Sequence, residues 1–151
     1  MITRVIDKNG STAFYRGPEP GSFGATALIG GMGVRTIQNL EEKNADEAGW
    51  AQASRLRYVA NAEGVFFHPS DASVVKSLTI LSDASFFPVF MHCKYGRDRT
   101  GWNTAVWRVI RDGWTPEQAK AEAYRMGFHP IYFYWWPDFE PQIDRVRRIL
   151  G

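Results

Sequence analysis

Apolar residues fall along this chain in short bursts that alternate between strand-like runs and helix-like stripes. Residues 12–16 (TAFYR) read as a short strand, closed by the turn-rich GPEPG. Residues 23–32 form a weak, glycine-loosened helix pattern, and VRTIQNL at 34–40 has the β-branched content of a buried strand. Over 45–62 Ala48, Ala51, Leu56 and Val59 give an imperfect helical stripe, stopped by Gly64, and VFF at 65–67 predicts another strand. Ser70 and Asp71 offer N-cap chemistry to a helix over 72–83, whose inner face is Val74, Val75, Leu78 and Leu81. PVFMH at 88–92 is a compact apolar strand. Beyond a polar loop, Trp102, Val106, Val109 and Ile110 recur at helical spacing up to Gly113. Thr115, Pro116 and Glu117 open a helix ending near Met126 and Gly127, and Phe139, Ile143, Val146 and Leu150 stripe a last helix over 139–150.

Strands alternating with helices predict an α/β fold with a mostly parallel central sheet flanked by helices, one domain over residues 1–151. Hydrophobic residues at 44% and charged residues at 23% mark a globular chain, not a disordered one. A net charge of +2 without a basic stripe excludes nucleic-acid binding by charge alone. No run approaches the roughly 20 apolar residues of a membrane helix, and the opening MITRVIDKNG lacks a signal-peptide core. The expectation is a soluble protein, cytoplasmic or, if processed, periplasmic or secreted; oligomeric state stays open. One cysteine rules out an internal disulfide, and one Cys with three scattered His has no zinc-ligand spacing, so neither metal nor cofactor is expected.

That cysteine sits in a particular setting. His92 and Cys93 end an apolar strand, Gly96 lies mid-loop, and Arg99, Thr100 and Gly101 open a helix: H-C-x-x-G-x-x-R-T-G. A loop between a strand end and a helix N-terminus aims backbone N–H groups at one point, where the helix dipole adds positive potential. Such a site binds a phosphate dianion and favours the thiolate of a cysteine placed in it. Gly96 lets the backbone bend around the anion. Arg99 can grip two phosphoryl oxygens through its planar fork. Thr100 can give its hydroxyl to the departing thiolate, and His92 holds the loop by hydrogen bonds. The chemistry is in-line attack by Cys93 on phosphorus, a phosphocysteine intermediate, then hydrolysis. The competing account, a buried core cysteine beside a solvated arginine, leaves the His-Cys, Gly and Arg-Thr-Gly placement unexplained.

The segment resembles the active-site loop of the protein-tyrosine-phosphatase superfamily, in its small dual-specificity-like branch. FYRGPEP, GVRTIQNL, GVFFHPSD and PVFMHCKYGRDRTG follow the order and spacing of small bacterial, plant and fungal members. The resemblance implies a central sheet flanked by helices, with the loop at the sheet's C-terminal edge. It also implies substrate contacts from His92, Lys94, Tyr95, Gly96, Arg97 and Gly101 beside catalytic Cys93, Arg99 and Thr100.

A leaving alkoxide needs a proton, and three aspartates compete to give it. Asp71 matches an Asp of the compact plant and fungal relatives and equally suits a helix start. Asp98 lies inside the loop, where some phosphoinositide and bacterial phosphatases resembling this chain use an Asp as the acid. Asp138, in Trp136-Pro137-Asp138, has the letters of the movable acid loop of large tyrosine phosphatases but follows the nucleophile, and reads as a structural look-alike. Asp71 is the first expectation and Asp98 the second.

Lys94 and Arg97 add cations beside Arg99, as in phosphoinositide and inositol-pyrophosphate phosphatases; Arg16 and His68, at the ends of predicted strands, either extend that surface or are solvated or structural. The leading expectation is a small phosphorylated substrate of the inositol-polyphosphate kind, similar to that of bacterial tyrosine-phosphatase-like phytases. Those phytases usually carry Glu where this chain has Lys94. A protein tyrosine or dual-specificity phosphatase is the alternative, and an inactive phosphate-binding module the third reading. The run Tyr132 to Trp136 is expected to pack the last helix onto the sheet.

Overall fold

A computed structural model describes residues 1–151. Five strands are present: β1 (Thr3–Ile6), β2 (Thr12–Pro18), β3 (Thr36–Asn39), β4 (Arg57–Ala60) and β5 (Val89–Cys93). They form one sheet in the order β1-β2-β5-β3-β4. β1 runs antiparallel to β2 and every other pairing is parallel, as the strand–helix alternation predicts. Six helices accompany them: α1 (Phe23–Gly31), α2 (Ala45–Ala53), α3 (Asp71–Ser82), α4 (Arg99–Ile110), α5 (Pro116–Arg125) and α6 (Phe139–Leu150). A 3-10 segment, Pro130–Asp138, leads directly into α6. None of the helices is long and apolar enough to cross a membrane.

Polar punctuation starts four of the helices. Ser22, Asn44, Ser70 and Thr115 each accept a hydrogen bond from the N–H three residues on, and Gln118 completes a capping box with Thr115. The period-two alternation of β5 then splits its side chains between two cores. Val89, Met91 and Cys93 join the larger apolar cluster with residues of α3 to α6, whereas Phe90 joins the smaller one with Ile29 of α1 and Ala51 of α2. Both faces of β5 are therefore covered, which is why the strand reads as an unbroken apolar run.

Two local expectations need correction, and one strand, β1, was not foreseen. The predicted helix over 45–62 is two elements: α2 stops at Ala53, Arg55 turns the chain with φ of 59°, and β4 follows. Leu56 and Val59 had been read as extending a helical stripe; Leu56 packs in the smaller core, while Val59 lies on a strand. The predicted strand at 65–67 is irregular, with Phe66 and Phe67 83% and 78% exposed and no neighbouring strand to pair with. β1, too short and polar to announce itself, is held by antiparallel pairing with β2.

Candidate active site

β5 delivers Cys93 to the C-terminal edge of the sheet, level with Pro18 of β2, while its neighbour His92 stands beside Asn39 of β3. The chain then loops through residues 94–98 and enters α4 at Arg99. Cys93 is 3% exposed, and the Thr100 hydroxyl donates to its Sγ at 3.1 Å. None of the seven backbone N–H groups from Lys94 to Thr100 donates to a protein acceptor; the helical ladder begins only with Gly101 to Arg97 O and Trp102 to Asp98 O. A run of unpaired donors between a buried sulfur and a helix start can serve as an anion cradle. Asp98, at the N-cap position of α4, makes no capping bond that would compete for these amides.

The loop is held from beneath. Gly96 has φ of +70°, and a Cβ there would lie 2.3 Å from Gly17 C and 2.5 Å from Gly17 O, so no other residue fits. Buried Arg16 donates from Nη2 to Gly96 O at 3.0 Å. Burial draws its guanidinium below the ordinary arginine value, while Glu122 and Cys93 pull the other way. Arg16 is thus a support under the cradle, the structural one of the roles its sequence position allowed. His92 is fully buried; its Nε2 meets Glu47 Oε2 at 2.8 Å and its Nδ1 lies 3.3 Å from Cys93 O. Glu47 comes from the first turn of α2, so that pair ties the strand end carrying Cys93 to the opposite layer.

Arg99 reaches back over the site. Its Nη1 donates to Glu63 O at 3.0 Å, and its Nη2 stands 3.5 Å from Glu41 Oε1. Burial raises the Glu41 carboxyl above its usual range, with Arg99 opposing and Glu19 reinforcing the rise. Cys93 and Arg99 share one cleft of about 340 Å³, lined also by Val65, Lys94, Tyr95, Arg97, Asp98, His129, Ile131 and Tyr132. Lys94 and Arg97 flank the exposed Tyr95 ring, 5.5 and 5.0 Å from its centroid. A more open hollow of about 540 Å³ adjoins across Arg99 and is edged by Glu19, Glu41 and Glu42.

The three aspartates separate. Asp98 lines the cleft; its Oδ1 accepts from His129 N at 2.8 Å. Asp71, the first expectation for the acid, does not line it. It is the first residue of α3, behind N-cap Ser70, and its carboxylate takes two hydrogen bonds from Arg145 and one from Gln142. Asp138 shares Arg145 and meets His68 Nε2 at 2.8 Å. Hydrogen bonds from Arg145 hold both carboxyls below the usual carboxylate range. His68, the other candidate surface extension, is spent on Asp138 and stacks on Trp102 at 5.0 Å.

The aromatic run also divides. Trp135 and Trp136 are buried against Trp102 and Phe128, packing on α4 more than on the sheet. Tyr132 lines the cleft, and Phe133 and Tyr134 are exposed. Tyr134 Oη donates to Phe66 O at 2.6 Å, joining the 3-10 segment to the loop after β4. Ile131, His129, Glu41 and Glu63 were not singled out from the sequence, and Val65 and Tyr132 were read there only as a strand residue and a packing aromatic. They belong to segments without a motif, and only the fold brings them together.

The comparisons with known proteins fit this geometry. The family described as PTP-NADK, DSP-PTPase phosphatase fused to NAD+ kinase, matches residues 2–131. The chain belongs to this family. It is 32% identical over 122 residues to the dual specificity protein phosphatase TpbA of Pseudomonas aeruginosa, a match that takes in 78% of this chain and 53% of TpbA. The chain therefore spans about half the length of the curated relatives it matches. Among solved structures, the core catalytic domain of the PP-IP phosphatase SIW14 from S. cerevisiae superposes with a TM-score of 0.74 at 18% identity, covering 97% of this chain and 93% of that one. Crystalline P. aeruginosa TpbA gives 0.71 at 24% identity, covering 89% and 86%. A cysteine-to-serine TpbA in complex with pTyr gives 0.69 at 26%, covering 90% and 84%. The strand–loop–helix that carries Cys93 thus lies within a dual-specificity-type cysteine-phosphatase fold.

Proposed function

We propose that this chain hydrolyses phosphomonoesters on protein side chains, phosphotyrosine foremost, through a phosphocysteine intermediate. The observation that carries the chemistry is the cradle itself: Cys93 Sγ, the Thr100 hydroxyl 3.1 Å away, unpaired amides from Lys94 to Thr100, and Arg99 on the same cleft. Cys93 Sγ attacks phosphorus in line, forming the S–P bond as the P–O bond to the leaving group breaks. Asp98 gives that oxygen its proton. The amides and Arg99 hold the equatorial oxygens, supplying charge stabilisation where other phosphatases use a divalent cation. Asp98 then takes a proton from water as its oxygen forms the new bond to phosphorus. The S–P bond breaks, Thr100 hydrogen-bonds the leaving thiolate, and inorganic phosphate departs.

The protein-substrate reading rests on the walls. Val65, Tyr95, Ile131 and Tyr132 line the cleft, and Phe66, Phe67 and Phe133 stand exposed beyond it. An aryl phosphate fits such walls better than a polyanionic ring does, and Glu19, Glu41 and Glu42 next door repel extra phosphates. TpbA, named a dual specificity protein phosphatase and seen with pTyr, supports the same reading. The inositol-polyphosphate reading keeps one specific support: exposed Lys94 and Arg97 on the cleft, in a fold shared with the PP-IP phosphatase SIW14. The test is phosphate release in the presence of a chelator from phosphotyrosyl peptides, phosphoseryl peptides and inositol hexakisphosphate. Peptide turnover that exceeds the others and vanishes in Cys93→Ser is expected. Preference for the inositol substrate overturns the protein reading, and no turnover on any ester with phosphate binding retained leaves a binding module.

A further inference from the structure

One buried carboxyl group takes no part in the chemistry above. Glu63, between β4 and α3, is 6% exposed. Its N–H donates to Leu40 O at 2.9 Å, its carbonyl accepts from Arg99 Nη1 at 3.0 Å, and its Oε1 accepts from Asn103 Nδ2 at 2.8 Å. Asn103, fully buried on α4, donates from the same Nδ2 to Arg99 O at 2.9 Å. Glu63 and Asn103 together hold Arg99 by its guanidinium and its main chain. Two buried oxygens are left without partners, Glu63 Oε2 and Asn103 Oδ1. Orphaned buried acceptors are costly. Of the two, only the carboxyl can bind a proton near neutral pH, which turns Oε2 into a donor.

We infer that Glu63 is a positioning residue for Arg99, working as an uncharged acid with its proton on Oε2, wedged between α3 and α4. The inference rests on the reading of Arg99 as the phosphate grip. The charged group facing Glu63 from α4 is Arg99; α3 presents the hydroxyl of Ser73, and Glu41 lies across Arg99. Burial pushes the Glu63 carboxyl up to about 8 against the opposing influence of Ser73, Asn103 and Arg99. Once ionised, it is a buried anion that competes with substrate for the guanidinium. By the same linkage, a phosphate dianion bound beside Arg99 makes the Glu63 proton harder to remove.

The experiment is steady-state hydrolysis of an aryl phosphate from about pH 6 to about pH 10, with chelator, by wild type, Glu63→Ala and Glu63→Gln. In the wild type kcat/KM is expected to fall about tenfold per pH unit above about 8, and the matching limb in kcat to lie at higher pH. Glu63→Ala lowers neutral-pH kcat/KM about tenfold; Glu63→Gln restores most of that loss and abolishes the alkaline limb. A limb that persists unchanged in Glu63→Gln belongs to another group and overturns the inference. A second measurement needs neither the variants nor turnover: the side-chain carboxyl signals of ¹³C-labelled glutamates in Cys93→Ser protein. One is expected to titrate near 8; if all titrate below about 6 the inference fails, whatever becomes of the phosphatase reading.

Discussion

Replacing Gly96 with alanine tests the close fit between the nucleophile loop and the strand beneath it. The added Cβ meets three backbone atoms, Gly17 C at 2.3 Å, Gly17 O at 2.5 Å and Pro18 N at 2.7 Å, none of which can rotate aside. The backbone adds a second cost, because φ of +70° disfavours an L side chain by about 1–2 kcal/mol. Relieving the shortest contact moves the loop by about 1 Å, a displacement of the kind that costs about 10²-fold in rate, or about 2.7 kcal/mol of transition-state binding. Overpacking adds about 1–3 kcal/mol of lost stability, so the melting temperature is expected to drop by about 10 °C. Gly113 supplies the control: φ is +72°, but no atom lies within 4 Å of its would-be Cβ. Gly113→Ala should lose only the backbone part of the stability and no activity. Aryl phosphate kinetics and thermal denaturation of both variants give the answer. Equal stability losses, with Gly96→Ala kcat/KM within about threefold of wild type, refute the reasoning.

Other outcomes follow from the same geometry. Asp98→Asn should lose about 10²-fold or more in rate on an alkyl phosphate but far less on a nitrophenyl ester, whose leaving group needs no proton, while Asp71→Asn loses similarly on both. Thr100→Val, removing the 3.1 Å contact to Sγ, should slow breakdown of the phosphocysteine, seen as a larger burst of released alcohol in rapid-mixing kinetics. Arg145 holds Asp71 and Asp138 below their unfolded values, so their stabilisation is present above about pH 4 and fades as pH falls through the folded values. All three side chains are about one-third exposed, which limits the effect to about 1 kcal/mol after solvent screening. Arg145→Met should therefore melt lower than wild type at neutral pH, and the two curves should converge as pH falls below the ordinary aspartate range.

Much of the site was legible because its signal is local. His92 through Gly101 carry the strand end, the turn and the helix start in ten consecutive letters, and the structure keeps them as one contiguous strand–loop–helix. The α3, α5 and α6 stripes were legible for the same reason: apolar spacing and caps within one or two turns. What failed depended on distance. The stripe Ala48, Ala51, Leu56, Val59 continues across Arg55, whose left-handed backbone no neighbouring residue type advertises. Asp71 suited an acid and a helix start equally, and Arg145, more than seventy positions later, was not visible as its partner. Glu63 and Glu41 carry no motif; they matter only because β3 and β4 end beside the loop that follows β5.

The 3-10 segment behaves as a beam fixed at both ends. Its near end hangs from the nucleophile loop through the His129 amide and Asp98, and its far end is bolted to the last helix through Asp138 and Arg145. Ile131 and Tyr132, between those anchors, form one side of the catalytic opening. Under the proposed function, substitutions on α6 that never touch a substrate can therefore tilt that wall and retune which phosphoester is admitted. On that reading, selectivity drifts by slackening a remote bolt while the phosphorus chemistry itself stays intact.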